Sequence, residues 1–363
     1  MPLAPRPVTR AAIEPEPRPW PAFARTFVAT AAGLALGYLA AAYAIDPYDS
    51  GRSHLLSVGA VRPQGPRTAA AMRGRDPAFS AAIIGNSHIQ PVEPQQLSEA
   101  TGIPFVQLSV IASEPREQLT LMDWFLRHHR EPRALVLGAD AFWCTDDPDL
   151  RNSKPFPFWL FAADTPGYLR GLMRWSVAQE VAARLGWLAR GHRREARRDG
   201  WWDNEADYLA LIQASDPRIA GARDKPVPDA PDPGRAGPAF PAADRFGAVA
   251  AALPGDTALV LVFPPVYAPS RPRPGSPRAA AEEACEARIA AAARHHPRTA
   301  IIDGRRDRPA LHDPEQFFDQ THYRRAIGRA LAEEIAGAIG DLTAGVRPGP
   351  PVLSIRPGDA PEP

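Results

Sequence analysis

The feature that most restricts this chain is an uncharged run at residues 26–45, TFVATAAGLALGYLAAAYAI. As a helix it matches the roughly 30 Å hydrocarbon layer of a bilayer. Arg6, Arg10, Arg18 and Arg25 precede the run, whereas Asp46 and Asp49 follow it at once. Positive charge stays on the cytoplasmic side, so residues 1–25 are expected in the cytoplasm, with 26–45 as a single transmembrane helix and everything beyond exported. The expected address is the inner (cytoplasmic) membrane, with the main domain periplasmic or otherwise extracytoplasmic. A cleavable signal peptide processed near Ala42-x-Ala44 is one alternative. A buried core helix is the other, and it fits poorly with a segment apolar on all sides between asymmetric charges.

The rest of the chain has a globular composition. Its 42 basic and 41 acidic residues nearly cancel, which leaves no field to gather nucleic acid. Prolines cluster at residues 2–21, 226–241, 264–277 and 347–363, which marks tails, linkers and loops. The two cysteines, Cys144 and Cys285, belong to no metal-binding pattern, and two buried free thiols are expected over one disulfide.

Short apolar runs recur at 80–84, 104–110, 133–138, 257–263 and 299–303, alternating with helical patterns at 114–129, 242–252, 278–294 and 324–339. That alternation predicts an α/β fold, a three-layer sandwich around a mostly parallel sheet. Ligands of such sheets bind beyond the carboxyl ends of the strands, where Ser87, Ser109, Asp140 and Pro264 fall. The expected organisation is a stem at 46–77, an α/β domain formed by 78–143 and 242–340, a mainly helical insertion at 144–241, and a disordered tail at 341–363. Within the insertion, the aromatic residues at 155–161 and Trp201-Trp202 are expected to pack against the sheet, with a sugar-stacking surface as the alternative. The basic cluster Arg190, His192, Arg193, Arg194, Arg197 and Arg198 reads as a solvated helix face, with a surface for anionic lipid headgroups or an acidic glycan as the alternative.

Two motifs at opposite ends of this domain carry chemistry. Gly85-Asn86-Ser87-His88 ends the first apolar run, so Ser87 projects where a strand enters a loop. A serine hydroxyl becomes a nucleophile only beside a general base. Asp319-x-x-His322 stands before the last helical stretch, close enough for the carboxylate to orient the imidazole. His88, His312, His295 and His296 read as packing or surface histidines. Neither a phosphate-binding glycine loop nor a zinc-ligand spacing is present, so no cofactor and no metal are expected.

Together these blocks resemble those of the SGNH/GDSL hydrolases. Gly85-Asn86-Ser87 is similar to the Gly-Asp-Ser block and Asp319-x-x-His322 to the final block, in the same order. The run at 258–263 with Pro264-Pro265, and Ile301-Ile302-Asp303, also resemble later strands of that fold. The likeness spans roughly residues 78–143 and 242–340 and implies Ser87 as nucleophile, His322 as base and Asp319 as its orienter. Where the family completes its oxyanion hole with a glycine and an asparagine, this chain carries Gln107-Leu108-Ser109 through Ser113, and Gly138-Ala139-Asp140. Asn86, Ser109, Asp140 and His88 are therefore the expected oxyanion or substrate-binding residues.

The anchored layout is similar to that of proteins that O-acylate envelope or secreted polymers, such as the alginate acetylation proteins and the D-alanyl transfer protein of lipoteichoic acid. It implies an esterase or O-acyltransferase, foremost for acetyl, acting on a cell-envelope or secreted glycan. A transferase would need a membrane-bound partner as acyl donor. The alternative is a non-catalytic SGNH-like component of polysaccharide export.

Overall fold

A computed structural model describes residues 20–346, except 151, 153, 193, 194, 218 and 238. Arg6, Arg10, Arg18, Arg193, Arg194 and the tail at 347–363 lie outside the described residues.

In chain order the elements are α1 (Trp20–Ile45), α2 (Pro66–Arg73), β1 (Ala81–Ile84), α3 (Pro94–Thr101), β2 (Phe105–Gln107), α4 (Pro115–His128), β3 (Ala134–Gly138), α5 (Thr165–Leu172), α6 (Trp175–Ala189), α7 (Asn204–Gln213), α8 (Pro241–Ala252), β4 (Ala258–Phe263), α9 (Pro277–Ala293), β5 (Thr299–Asp303), α10 (Pro309–His312) and α11 (Arg325–Thr343). Proline opens many of these helices, where its missing N–H is one the helix would leave unpaired anyway.

All five strands are parallel, in the order β2-β1-β3-β4-β5. Alternate residues of each strand face opposite ways. Ala82, Ile84, Leu135, Leu137, Leu259 and Leu261 pack beneath α4, α8 and α9. Ala81, Ile83, Val136, Val260, Val262 and Ile302 pack beneath α3 and α11. Each fully buried aliphatic side chain contributes roughly 1.5–3 kcal/mol, which is why four-residue strands suffice here.

β1 leads to β2 through α3 on one face, and β2 leads to β3 through α4 on the other. The chain thus reverses its direction of travel across the sheet between β1 and β3. A crevice opens at such a point, beyond the carboxyl ends of the two strands. Gly85 and Gly138 let the chain leave this place tightly. A Cβ on Gly85 would lie 2.7 Å from Ile89 Cγ2, and one on Gly138 2.7 Å from Ile89 Cβ.

Only Phe105–Gln107 of the run at 104–110 pairs as a strand, although the Leu108 and Val110 amides still donate to Ile83 O and Gly85 O. Residues 46–77 fold back onto the insertion. Asp49 pairs with the buried Arg184 of α6, Arg62 pairs with Glu180, and Asp46 accepts from the Ser50 and Gly51 amides. The aromatic residues at 155–161 enter the same core, where Phe161 lies 5.6 Å from Trp124. Arg197 pairs with Glu93 and Asp199, and Arg198 with Asp76.

The expectation of free thiols is corrected. Cys144 and Cys285 form a disulfide that ties the turn after β3 to α9 across 141 residues. Their separation in sequence conceals a proximity that arises only when α9 packs over β4 and against the turn after β3.

Candidate active site

The four-residue strand β1 runs straight into the Gly85–His88 turn, which aims the Ser87 side chain into the crevice. Ser87 is 8% exposed, on the wall of a cavity of about 510 Å³. Its hydroxyl lies 2.9 Å from His322 Nε2, across 235 residues of chain. His322 Nδ1 lies 2.7 Å from Asp319 Oδ2. A carboxylate at that distance keeps the ring proton on Nδ1, which leaves Nε2 to accept from Ser87.

Asp319 is itself fixed by the backbone, since its Oδ1 accepts the amides of Thr321 and His322, both at 2.8 Å. Burial pushes its carboxyl up, but the hydrogen bond and charge of the His322 ring, with those two amides, outweigh burial and hold it at about 2. Asp319 is therefore charged across the physiological range and stabilises an imidazolium once His322 takes a proton.

A second histidine–aspartate pair stands beside the first. Asp140 leaves β3 next to β1, and its Oδ2 lies 2.6 Å from His88 Nδ1 while accepting from Asn86 Nδ2 at 2.5 Å. Its Oδ1 accepts the Phe142 amide at 2.9 Å. Burial acts against the charged form, but the His88 ring, the Asn86 amide and the Phe142 amide together lower the carboxyl below its ordinary range. The His88 and His322 rings meet edge to face, 5.0 Å between centres. Tyr323 also donates its hydroxyl to His88 O. Both ring orientations are thus held by a carboxylate, and Ser87 adjoins His88 in sequence while its hydroxyl meets His322 in space.

The expected binding residues divide. Asp140 and His88 line the cavity, as does Asn86. Asn86, however, spends one side-chain N–H on Asp140, and its Oδ1 accepts the His88 amide at 3.0 Å. Ser109 does not line the cavity. Its side chain is buried, with no hydrogen-bond partner among the described residues. Its N–H falls on the same side of the chain as that of Gln107, which donates to Asp199 O away from β1.

The loop residue that does reach the cavity is Ala112, in the left-handed backbone region at φ +53°. A non-glycine residue there is strained, and the strain is held by neighbours. The Ser113 hydroxyl donates to Gly85 O at 3.1 Å, and Asn152 donates to Ala112 O at 3.0 Å. No residue type in the motif region signals this, because alanine carries no mark of a positive φ.

Two more contributions come from the insertion. Tyr208 of α7 stacks on Phe318, 4.8 Å between centres, and lies 5.0 Å from the His322 ring. Arg235 stacks over Phe142 and donates to Ala141 O, forming part of the wall. Nothing in the local sequence around either residue distinguishes it from any other aromatic or arginine of the insertion. His295, His296 and His312 bond to Gly247 O, Thr257 O and Asp307, away from the cavity.

No protein-family model matches the chain, and no curated protein matches it.

Proposed function

We propose that the chain is a membrane-anchored SGNH-like serine esterase or O-acyltransferase that acts on an ester-linked acyl group, acetyl foremost, of a cell-envelope or secreted glycan. The observation that carries this reading is the continuous relay from Ser87 through His322 to Asp319, at 2.9 and 2.7 Å, on the wall of an open cavity.

In the first half-reaction the Ser87 oxygen attacks the ester carbonyl while His322 Nε2 takes the hydroxyl proton. Asp319 stabilises the resulting imidazolium. The tetrahedral intermediate collapses to an acyl-serine, and His322 returns the proton to the departing alkoxide. In the second half, water (hydrolysis) or a glycan hydroxyl (transfer) gives its proton to His322, attacks the acyl carbon and regenerates Ser87. A transferase draws its acyl group from a membrane-bound donor partner. The Ser87 and Ala112 backbone amides face the developing oxyanion in this scheme. His88, fixed by Asp140, accepts from a hydroxyl of the bound glycan.

The placement of the catalytic body outside the cytoplasm rests on three supports. α1 is long and apolar enough to cross a bilayer. Arg6, Arg10 and Arg18 precede it and Arg25 stands in its second turn, ahead of the uncharged run. The Cys144–Cys285 disulfide suits an oxidising compartment.

Labelling with a fluorophosphonate serine probe tests the catalysis. Wild type is expected to label and Ser87→Ala to remain unlabelled, with Asp319→Asn slowed by about three orders of magnitude or more. Equal labelling of wild type and Ser87→Ala, or none on folded wild type, would leave the non-catalytic export component as the reading. A reporter fused after residue 60 tests topology, and activity in the cytoplasm would overturn the export assignment.

A further inference from the structure

α1 is held by protein along only part of its length. From Tyr38 onward it docks onto the insertion. The Tyr38 hydroxyl donates to Leu172 O at 2.9 Å, Ala42 is fully buried, and Tyr43 meets Tyr168 edge to face. From Trp20 to Gly37 the helix projects free, with Phe23, Phe27, Leu34 and Leu36 exposed. Those eighteen residues span about 27 Å, close to one hydrocarbon thickness.

The Tyr38–Leu172 bond sets the level of the corner between α5 and α6, because Leu172 ends α5 and Trp175 begins α6. The corner lies level with Tyr38, seven residues or about 10 Å short of the end of α1. If the free part alone fills the bilayer, with Arg25 in its second turn reaching back to the headgroups, the corner rests on its surface. If the whole uncharged run at 26–45 fills it, the corner sits about 10 Å deeper. The second register would put Arg170 and Arg174 in hydrocarbon, so the first, with the corner at the headgroups, is the one its charges allow.

Its side chains suit that position. Met173 is 50% exposed and Trp175 78% exposed. Arg170 and Arg174 beside them are exposed too, and no acidic residue occurs between Thr165 and Gln179. Tryptophan favours the headgroup layer, where its ring is buried and its N–H stays wet, and arginines there meet anionic headgroups.

Resting on the reading of α1 as membrane-spanning, we propose that the α5–α6 corner, residues 170–175, is a second, monotopic contact with an anionic lipid surface. With α1 it seats the α/β body on the membrane at two points, so that the body does not swivel about a single helix.

The test uses the full chain in vesicles of phosphatidylcholine with phosphatidylglycerol. Both native cysteines are paired, so one added cysteine is the only thiol that takes a spin label. Labels at Leu34→Cys, Met173→Cys, Trp175→Cys and, on the opposite face of the sheet, Glu99→Cys are compared for collision with lipid-soluble oxygen and a water-soluble nickel chelate. Leu34 is expected to be lipid-dominated and Glu99 aqueous. Met173 and Trp175 should show an oxygen-to-nickel ratio severalfold above that of Glu99. In Arg170→Glu/Arg174→Glu the Met173 label should move toward water. If Met173 and Trp175 match Glu99 while Leu34 is in lipid, the corner does not touch the membrane and the proposal fails alone. If Leu34 is aqueous as well, the spanning reading of α1 falls and takes the proposal with it.

Discussion

Replacing Asp140 by asparagine separates two roles that this residue could have beside Ser87. Its two oxygens accept three hydrogen bonds in a buried site, from His88 Nδ1, Asn86 Nδ2 and the Phe142 amide. An asparagine of the same shape has one acceptor oxygen and one donor. If the oxygen faces Phe142, the new NH2 opposes the Asn86 amide and forces the His88 proton from Nδ1 to Nε2. If the oxygen faces His88, the NH2 opposes the Phe142 N–H. Either way one buried donor is orphaned, a cost of about 1–3 kcal/mol in stability.

In the first arrangement His88 also presents an N–H to the cavity where it had presented a lone pair. Losing a charge-assisted acceptor should lower kcat/KM roughly ten- to a hundredfold. Turnover of a small acetyl ester and urea-induced unfolding, measured on the same preparations, report the two effects. Increased turnover would mean that the new amide donates to the oxyanion, and that Asp140 occupies a lost oxyanion position instead of orienting His88. No change in either quantity would mean that the observed network has no energetic role.

Asp319 should also make stability depend on acid. Its folded pKa of about 2 lies below its ordinary 3.8, so its stabilisation is fully present above about pH 4 and is lost as pH falls toward 2. The stability difference between wild type and Asp319→Asn should shrink by about 2 kcal/mol over that window, and a constant difference would refute the charged pairing. Reducing Cys144–Cys285, or replacing both cysteines by alanine, should cost about 5 kcal/mol for a loop of 141 residues, read as a lower denaturant midpoint. An unchanged midpoint would show that α9 holds its place without the disulfide. Gly138→Ala should lose about 1–3 kcal/mol and slow probe labelling of Ser87, because the added Cβ would stand 2.7 Å from Ile89 Cβ. Unchanged stability and labelling would show that Ile89 gives way to the added Cβ.

Much of the architecture is local and was therefore legible in the residues. Apolar runs of strand length, helical periodicity between them and glycines at their exits specify an alternating α/β chain, and all five runs became strands of one parallel sheet. The uncharged segment at 26–45 likewise marks an apolar helix by composition alone, although the helix begins earlier, at Trp20. Ser87 and the Asp319–His322 pair could be singled out because their neighbours in sequence carry the pattern.

What tertiary structure decided is everything that depends on which distant segments meet. Asp140 pairs with His88 because β3 lies beside β1, an adjacency set by strand order. Ala112, not Ser109, reaches the cavity because the loop after β2 is drawn to Gly85 and turns through a positive φ. Cys144 and Cys285 bond because α9 packs on β4 and against the turn after β3, and Tyr208 covers His322 because the insertion folds back over the site. A residue's own chemistry and its near neighbours set what it can do. Packing of parts far apart in sequence sets which partner it finds, since burial rewards any apolar contact and only the closed fold selects among them.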